Sequence, residues 1–262
     1  MSRPRVPDRL LPWVSVLGVL VLFELAPRIG LLNSRDFPPI SQTLSTLVDQ
    51  AVGSDLWTAI GNTLAGWALG LGIAAALAIP LGVVIGSSRL LYRSLRGVIE
   101  FLRPVPSVAL IPLAILVYGS GLESKVFLAA FAAFWALLVQ VLYGVQDVDP
   151  VATDTARSFG FSRVQRLYRV TLPSALPYIA TGLRIASAVS LILAVTAELV
   201  IGSSGLGRSI NVARSGGDVK LMYALIMVTG LLGLVLNSVF VVAEKRVLHW
   251  HPSYRPGAEG AA

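Results

Sequence analysis

Residues 149–173 read DPVATDTARSFGFSRVQRLYRVTLP, a polar, arginine-rich insert in a chain that is otherwise apolar. Its punctuation predicts two short helices. Asp149 before Pro150 is a helix start: a capping carboxylate, then a proline whose missing N–H costs nothing in the first turn. The helix Val151 to Phe159 is expected to end at Gly160, which adopts a left-handed C-cap without a Cβ clash. Ser162 and Gln165 form a capping box for a second helix, Arg163 to Val170, and Leu172-Pro173 is expected to stop it. Val151, Thr155 and Phe159 share one stripe, and Val164, Leu167 and Tyr168 share another. Arg163, Arg166 and Arg169 take the polar side. Short helices that leave apolar side chains exposed form a docking element. The plainer alternative is a loop that caps one end of a bundle.

Outward from this insert the chain turns into runs that match the roughly 20 apolar residues needed to cross a bilayer. The expected spans are Leu10–Ala26, Trp57–Gly86 interrupted by Pro80, Val98–Tyr118 with three prolines, Val126–Tyr143, Tyr178–Ile201 and Leu221–Val242. Glu24-Leu-Ala-Pro-Arg28 lacks a cleavage pattern, so the first run reads as a span and not a signal peptide. Glu24 and Arg28 stand i,i+4 and are placed to pair. Residues 27–56 read as a loop with an amphipathic stretch from Ile40 to Val52. The fold class is therefore all-α, a polytopic transmembrane bundle of about six spans. Residues 1–9 form an N-terminal tail, 10–250 the membrane domain with insert 144–177, and 251–262 a C-terminal tail.

Composition supports this. Of 262 residues, 55% are hydrophobic and 13% charged, with mean hydropathy +0.76. Soluble domains carry about twice that share of charge. The net charge of +7 sits between apolar runs, which points to membrane topology and away from nucleic acid. With both termini inside, the inner segments hold fifteen of the 21 Lys and Arg residues and the outer segments six. That bias places insert 144–177 and both tails in the cytoplasm, and the protein in the plasma (inner) membrane. There is no cysteine. Lys125, Lys220 and Lys245 do not follow glycine, so no P-loop is present and the chain does not hydrolyse ATP by that route. No nucleophile–base pair or metal-ligand cluster appears, so the chain is not read as an enzyme.

The motif Asp154-Thr155-Ala156, three residues, Gly160, nine residues, then Val170-Thr-Leu172-Pro173 resembles the "EAA" loop of binding-protein-dependent (type I) ABC importer permeases. Every spacing matches, with Asp154 for Glu, Thr155 for Ala and Val170 for Ile. The prolines of Leu102-Arg-Pro104-Val-Pro106-Ser-Val-Ala-Leu-Ile-Pro112 are similar to the third span of the branch that imports nitrate, aliphatic sulfonates and taurine. So are Gly182-Leu-Arg184, Ala197-Glu198 and Ser204-Gly-Leu-Gly207. The resemblance covers roughly residues 55–250. It implies that Asp154, Thr155, Ala156, Phe159, Gly160, Leu167, Val170, Leu172 and Pro173 couple to a cytoplasmic ATPase. It further implies a second permease copy, two ABC ATPase subunits that carry ATP and Mg, and an extracytoplasmic substrate-binding protein. No cofactor is expected in this chain. An organic or inorganic anion leads as substrate, with a thiamine pyrimidine precursor as alternative. The competing functional class is an ion-gradient-driven secondary transporter or channel; a membrane scaffold or enzyme subunit is a third.

Several residues bear on the path. Pro104, Pro106 and Pro112 free backbone carbonyls, which lipid tolerates only where protein or a cavity covers them. Glu198, an ionisable group in a span, is read either as pathway or gate, or as a structural partner of neighbouring helices. Glu100 and Arg103 are spaced to pair, and Arg184 is read as an interfacial anchor. Gly66 with Gly70, and Gly82 with Gly86, are small-xxx-small pairs, for helix packing or for a moving surface. Residues 203–219 read as a Gly/Ser-rich outer loop, where Arg208 and Arg214 either meet the binding protein or are solvated. His249-Trp250-His251 is too little for a metal site, and an interfacial Trp explains it.

Overall fold

A computed structural model describes residues 11–250, with side chains from residue 14 onward. The expected tails, with Arg3, Arg5, Arg9, His251 and Arg255, lie outside the described residues. Among the described residues every regular element is helical. In chain order they are α1 Leu11–Arg28, α2 Ile40–Val52, α3 Ser54–Ser87, α4 Arg89–Leu102, α5 Ile111–Tyr118, α6 Leu122–Gln146, α7 Pro150–Ser158, α8 Arg163–Arg166, α9 Leu172–Ile201, α10 Leu206–Ser215 and α11 Val219–Val247. Among the described residues, four stretches are long and apolar enough to cross a membrane: Ser54–Ser87, Leu122–Gln146, Arg163–Ile201 and Val219–Val247. The pair α4 and α5 makes a fifth if counted as one bent span.

The bundle is built on α6, which lies between α3 and α9. Its buried face is rich in alanine, with Ala129, Ala132 and Ala133 facing inward. Small residues let backbones approach where lipid offers no hydrophobic drive to associate. A Cβ at Gly70 would stand 2.6 Å from Ala129 Cβ, one at Gly82 2.7 Å from Val141 Cγ1, and one at Gly86 2.9 Å from Val145 Cβ. The glycine pairs of α3 thus serve packing onto α6 within the chain. On the other side of α6, Gly182 of α9 would bring a Cβ to 2.8 Å from Gln140.

Four expectations need correction. Pro80 does not interrupt the second span: α3 runs unbroken for 34 residues, because one missing N–H leaves the rest of the ladder intact. The third span is not a continuous helix over 98–118. The helix starts at Arg89, ends at Leu102, and resumes through a 3₁₀ turn, Ser107–Leu110, at a bend of 79°. Pro104 and Pro106 remove two donors in three residues, so the ladder of α4 cannot continue past Leu102, although Arg103 itself keeps helical dihedrals. Pro112 sits in the first turn of α5, where a proline costs nothing. Leu172-Pro173 does not stop the insert's second helix. A five-residue π stretch, Leu167–Thr171, joins α8 to α9, so that Arg163–Ile201 is one helix of 39 residues. The i→i−5 bond from Leu172 N–H to Leu167 C=O shows how: the widened turn adjusts the ladder where Pro173 brings no donor. Finally, residues 203–219 are not a plain loop but contain α10, whose Leu206, Ile210 and Ala213 form a buried face at i, i+4, i+7.

The glycine contacts yield a paired test. Gly82→Leu has to displace Val141 and is expected to destabilise the chain by about 1–3 kcal/mol. Gly72→Ala faces open space and is expected to be neutral or slightly stabilising. Thermal unfolding in detergent, followed by intrinsic fluorescence, separates the two.

Candidate functional site

The caps of the insert form as the local signals predict, although its second helix runs on into α9. The Asp149 side chain accepts a hydrogen bond from Val151 N–H at 2.8 Å and caps α7. Gly160 takes φ +76°, and its N–H donates to Arg157 C=O at 2.9 Å. Both arms of the Ser162/Gln165 capping box are present, at 2.8 and 3.3 Å. The motif residues divide into two sets. Asp154, Thr155, Phe159 and Gly160 are exposed, whereas Leu167, Val170, Leu172 and Pro173 are half-buried and Ala156 is buried. Leu167 and Leu172 pack against the main apolar core, which fastens the insert to the bundle. Val151, Phe159, Val164 and Tyr168 project outward, with Phe159 77% exposed. Asp154 faces Arg157 at 3.4 Å in an exposed pair.

At the opposite end of the long helix stands a second constellation. Glu198 is fully buried, and its Oε1 accepts from Lys125 Nζ at 2.8 Å. Its Oε2 accepts from Thr63 Oγ1 and from Gly207 N–H, each at 2.9 Å. The Lys125 ammonium also donates to the carbonyls of Asn62 at 2.8 Å and Ser204 at 2.9 Å. Thr63 Oγ1 in turn accepts from Leu206 N–H at 2.9 Å. Every donor of the lysine and both carboxylate oxygens are used, which is what a buried ion pair requires. The glycines of Ser204-Gly-Leu-Gly207 explain themselves here. Gly205 has φ +151°, and a Cβ on it would overlap the Glu198 carboxylate; a Cβ on Gly207 would stand 2.3 Å from Val195 C=O. Gly66 leaves room for the Lys125 stem, since a Cβ there would stand 2.6 Å from Lys125 Cε.

Sequence reasoning found Glu198 and missed Lys125, which it counted as an outer-loop charge. The available signal was a lysine only three residues into the apolar run of α6. The other path candidates are scattered. Pro104, Pro106 and Pro112 are exposed at the α4–α5 bend. Arg208 and Arg214 are exposed on α10, Arg214 donating to Asn211 Oδ1 at 2.9 Å. Glu100 pairs with Arg96 at 2.7 Å, not with Arg103, because i,i+4 on α4 aligns them. Arg184 stands 3.7 Å from the buried Glu244, and Thr181 Oγ1 also donates to that carboxylate at 3.2 Å. Arg184 lies at one end of a cavity of about 490 Å³ between α9 and α11, whose other polar lining includes Ser187, Thr229 and Asn237.

Residues 78–249 match the family described as binding-protein-dependent transport system inner membrane component. The putative aliphatic sulfonates transport permease protein SsuC of Escherichia coli (strain K12) is 29% identical, over 94% of this chain and 94% of that one. The taurine transport system permease protein TauC of the same organism is 32% identical, over 91% and 89%. The nitrate import permease protein NrtB of Leptolyngbya laminosa is 32% identical, over 82% and 78%. Among solved structures, the inward-facing MetNI methionine ABC transporter aligns with TM-score 0.65 at 18% identity, covering 74% of this chain and 96% of that one. An amino acid ABC transporter aligns at 0.63 and 19%, covering 78% and 98%. These two likenesses establish a shared fold.

A double-mutant cycle tests the ion pair. Lys125→Met or Glu198→Gln alone leaves a buried partner uncompensated and is expected to cost about 3–5 kcal/mol. The double variant is expected to lose clearly less than the sum. Additive losses in melts of the purified chain would show the pair to be uncoupled.

Proposed function

Since this chain belongs to the binding-protein-dependent transport system inner membrane components, we propose that two copies of it line the path of an ATP-driven importer for a small anion. Insert 144–177 and both termini face the cytoplasm. The bias of fifteen inner to six outer Lys and Arg residues supports this orientation. Six spans result if α1 and the bent α4–α5 pair both cross. Each copy docks α7 and α8 on one separate ABC ATPase subunit, which binds ATP and Mg. A binding protein delivers substrate to the outer face, where the exposed Arg208 and Arg214 of α10 are placed to receive an acidic surface.

One observation carries this reading. The exposed apolar side chains of the insert stand at the foot of a single helix that continues to Ile201. At 1.5 Å per residue its 39 residues extend about 58 Å, nearly twice the ~30 Å hydrocarbon core. A push delivered at α8 reaches the outer end without crossing a flexible joint. ATPase closure then draws the two inserts together and rocks the bundle from inward-open to outward-open. Glu198 acts as a gate element indirectly, by holding α10 over the outer end. The α4–α5 bend with Pro104, Pro106 and Pro112 contributes path wall.

Sulfonate, taurine and nitrate, named for the relatives, are the substrate class. Two features of the chain suit an anion. Lys125 neutralises Glu198, so the outer end presents no free carboxylate there. Arg184 supplies a guanidinium to the cavity between α9 and α11.

Gly160→Val forces a β-branched residue into φ +76°, at a cost of about 1–2 kcal/mol or more, and Phe159→Ser removes the most exposed aromatic of the insert. Each is expected to lower co-purification with the cognate ATPase at least tenfold while the chain stays inserted and monodisperse. Unchanged co-purification of both variants counts against coupling through this insert.

A further inference from the structure

The Ser87 end of α3 opens onto a cavity of about 800 Å³ that it shares with the insert. Its wall is assembled from the end of α3, the start of α4, the end of α6 and the insert. Four arginines line it: Arg89, Arg157, Arg163 and Arg166. None of the described residues lining it is acidic. Arg157 has only the exposed Asp154 at 3.4 Å, and among the described residues no ion pair engages Arg89, Arg163 or Arg166. Ser87, Ser88 and Thr153 add hydroxyls to the same wall. Ser88 also caps α4, so the positive end of a 14-residue helix points into this region.

Four guanidiniums around one cavity with no carboxylate in its wall make a positive site that an anion between them stabilises. The rest of the lining narrows the choice of anion. Val83, Val84 and Leu167 make part of the wall apolar. Val84 is also the last member of an exposed stripe that climbs α3 through Leu81, Leu77, Ile73 and Leu69, each 44–57% exposed. The spacing of about four residues keeps that stripe on one side of the helix. A free inorganic anion has no use for it. A molecule with a negative head and a long apolar tail fits both parts, since the cavity stands where the apolar helix α3 ends.

We propose that this cavity binds the phosphate headgroup of an anionic glycerophospholipid, with one acyl chain lying along the Leu69–Val84 stripe of α3. The proposal rests on the reading that the 144–177 end lies at the cytoplasmic membrane surface, but not on the ATPase partnership. Because Arg157, Arg163 and Arg166 belong to the insert, a bound lipid braces α7 and α8 against α3 and makes their position sensitive to membrane composition.

The test is native mass spectrometry of the full-length purified chain, alone in neutral detergent, titrated with phosphatidylglycerol, phosphatidylcholine or inorganic phosphate. Expected are retained phosphatidylglycerol with at least a tenfold preference over phosphatidylcholine, and weakening of at least tenfold in Arg89→Gln/Arg163→Gln. The same charge removal at the other end, Arg208→Gln/Arg214→Gln, is expected to leave binding unchanged. Leu77→Ser/Leu81→Ser is expected to weaken phosphatidylglycerol and spare any phosphate binding. Equal loss in both arginine pairs, or no preference for the anionic lipid, overturns the site. Phosphate binding as tightly as the lipid overturns the acyl-chain assignment. Loss of ATPase association in Arg89→Gln/Arg163→Gln, with no lipid bound by the wild type, overturns it in favour of a protein interface. Lipid binding is read without the ATPase, so its failure is separate from a failure of the importer reading.

Discussion

The buried Lys125–Glu198 pair sets the geometry of the end of the molecule where α6 begins and α9 stops. Withdrawing both charges from water costs several kcal/mol per ion, and only saturated partners offset it. Those partners come from four places: Thr63 and Asn62 on α3, Lys125 on α6, Glu198 on α9, and Ser204 and Gly207 around the start of α10. A rotation of any one helix breaks at least one charged hydrogen bond in a dry site. Three spans and the outer helix are therefore fixed in register by a single polar cluster. The glycines at 66, 205 and 207 exist to let it close.

The rest of the α3–α6 seam is built on a different principle. From one turn past Lys125 onward, α3 and α6 close through Gly70, Gly82 and Gly86 against Ala129, Val141 and Val145, a contact of shape with no polar group in it. The insert hangs from this by Leu167 and Leu172 and otherwise stands clear, its apolar side chains unpartnered. The contrast matters for force transmission. The Glu198 end of the long helix is pinned by ionic partners, its middle is packed, and its first turns leave Val164 and Tyr168 exposed. The π stretch at Leu167–Thr171 is the local adjustment that lets a proline-bearing segment remain one rod.

What the sequence made legible follows from the range of the interactions involved. The caps at Asp149, Gly160 and Ser162–Gln165 bind groups two to four residues away, so their residues announce them. The α3 glycines announce close packing, though not their partners. The Lys125–Glu198 pair joins residues 73 apart, and periodicity carries no trace of it; an intramembrane carboxylate only signals that some partner exists. The α10 helix was hidden by composition, because glycines and serines flank a buried face whose side chains are Leu206, Ile210 and Ala213, with Gly207 beside them. The proline errors have one cause. A proline's effect depends on where it falls in the helix ladder: internal and harmless at Pro80, disruptive in the Pro104/Pro106 pair, absorbed by the first turn at Pro112 and by a π turn at Pro173.

These constraints also locate the compliant interface. Sliding α3 against α6 requires side chains to pass through glycine notches already at contact distance. Moving α9 against α6 at the outer end breaks the ion pair. By contrast, α11 buries only Ala224, Leu225, Val228 and Glu244. Along its middle it faces α9 across the cavity that holds Arg184 and Asn237. Near the inner end, Glu244 reaches Thr181 and Arg184 through contacts of 3.2 and 3.7 Å, weaker in geometry than any bond of the Lys125 cluster. The seam between α9 and α11 is thus looser than those that α6 makes with α3 and α9, and it runs beside the mostly apolar cavity that Arg184 and Asn237 line. Under the proposed function, a rod pinned near Glu198 and pushed at α8 pivots, and the displacement it produces grows toward the Glu244 end of that seam.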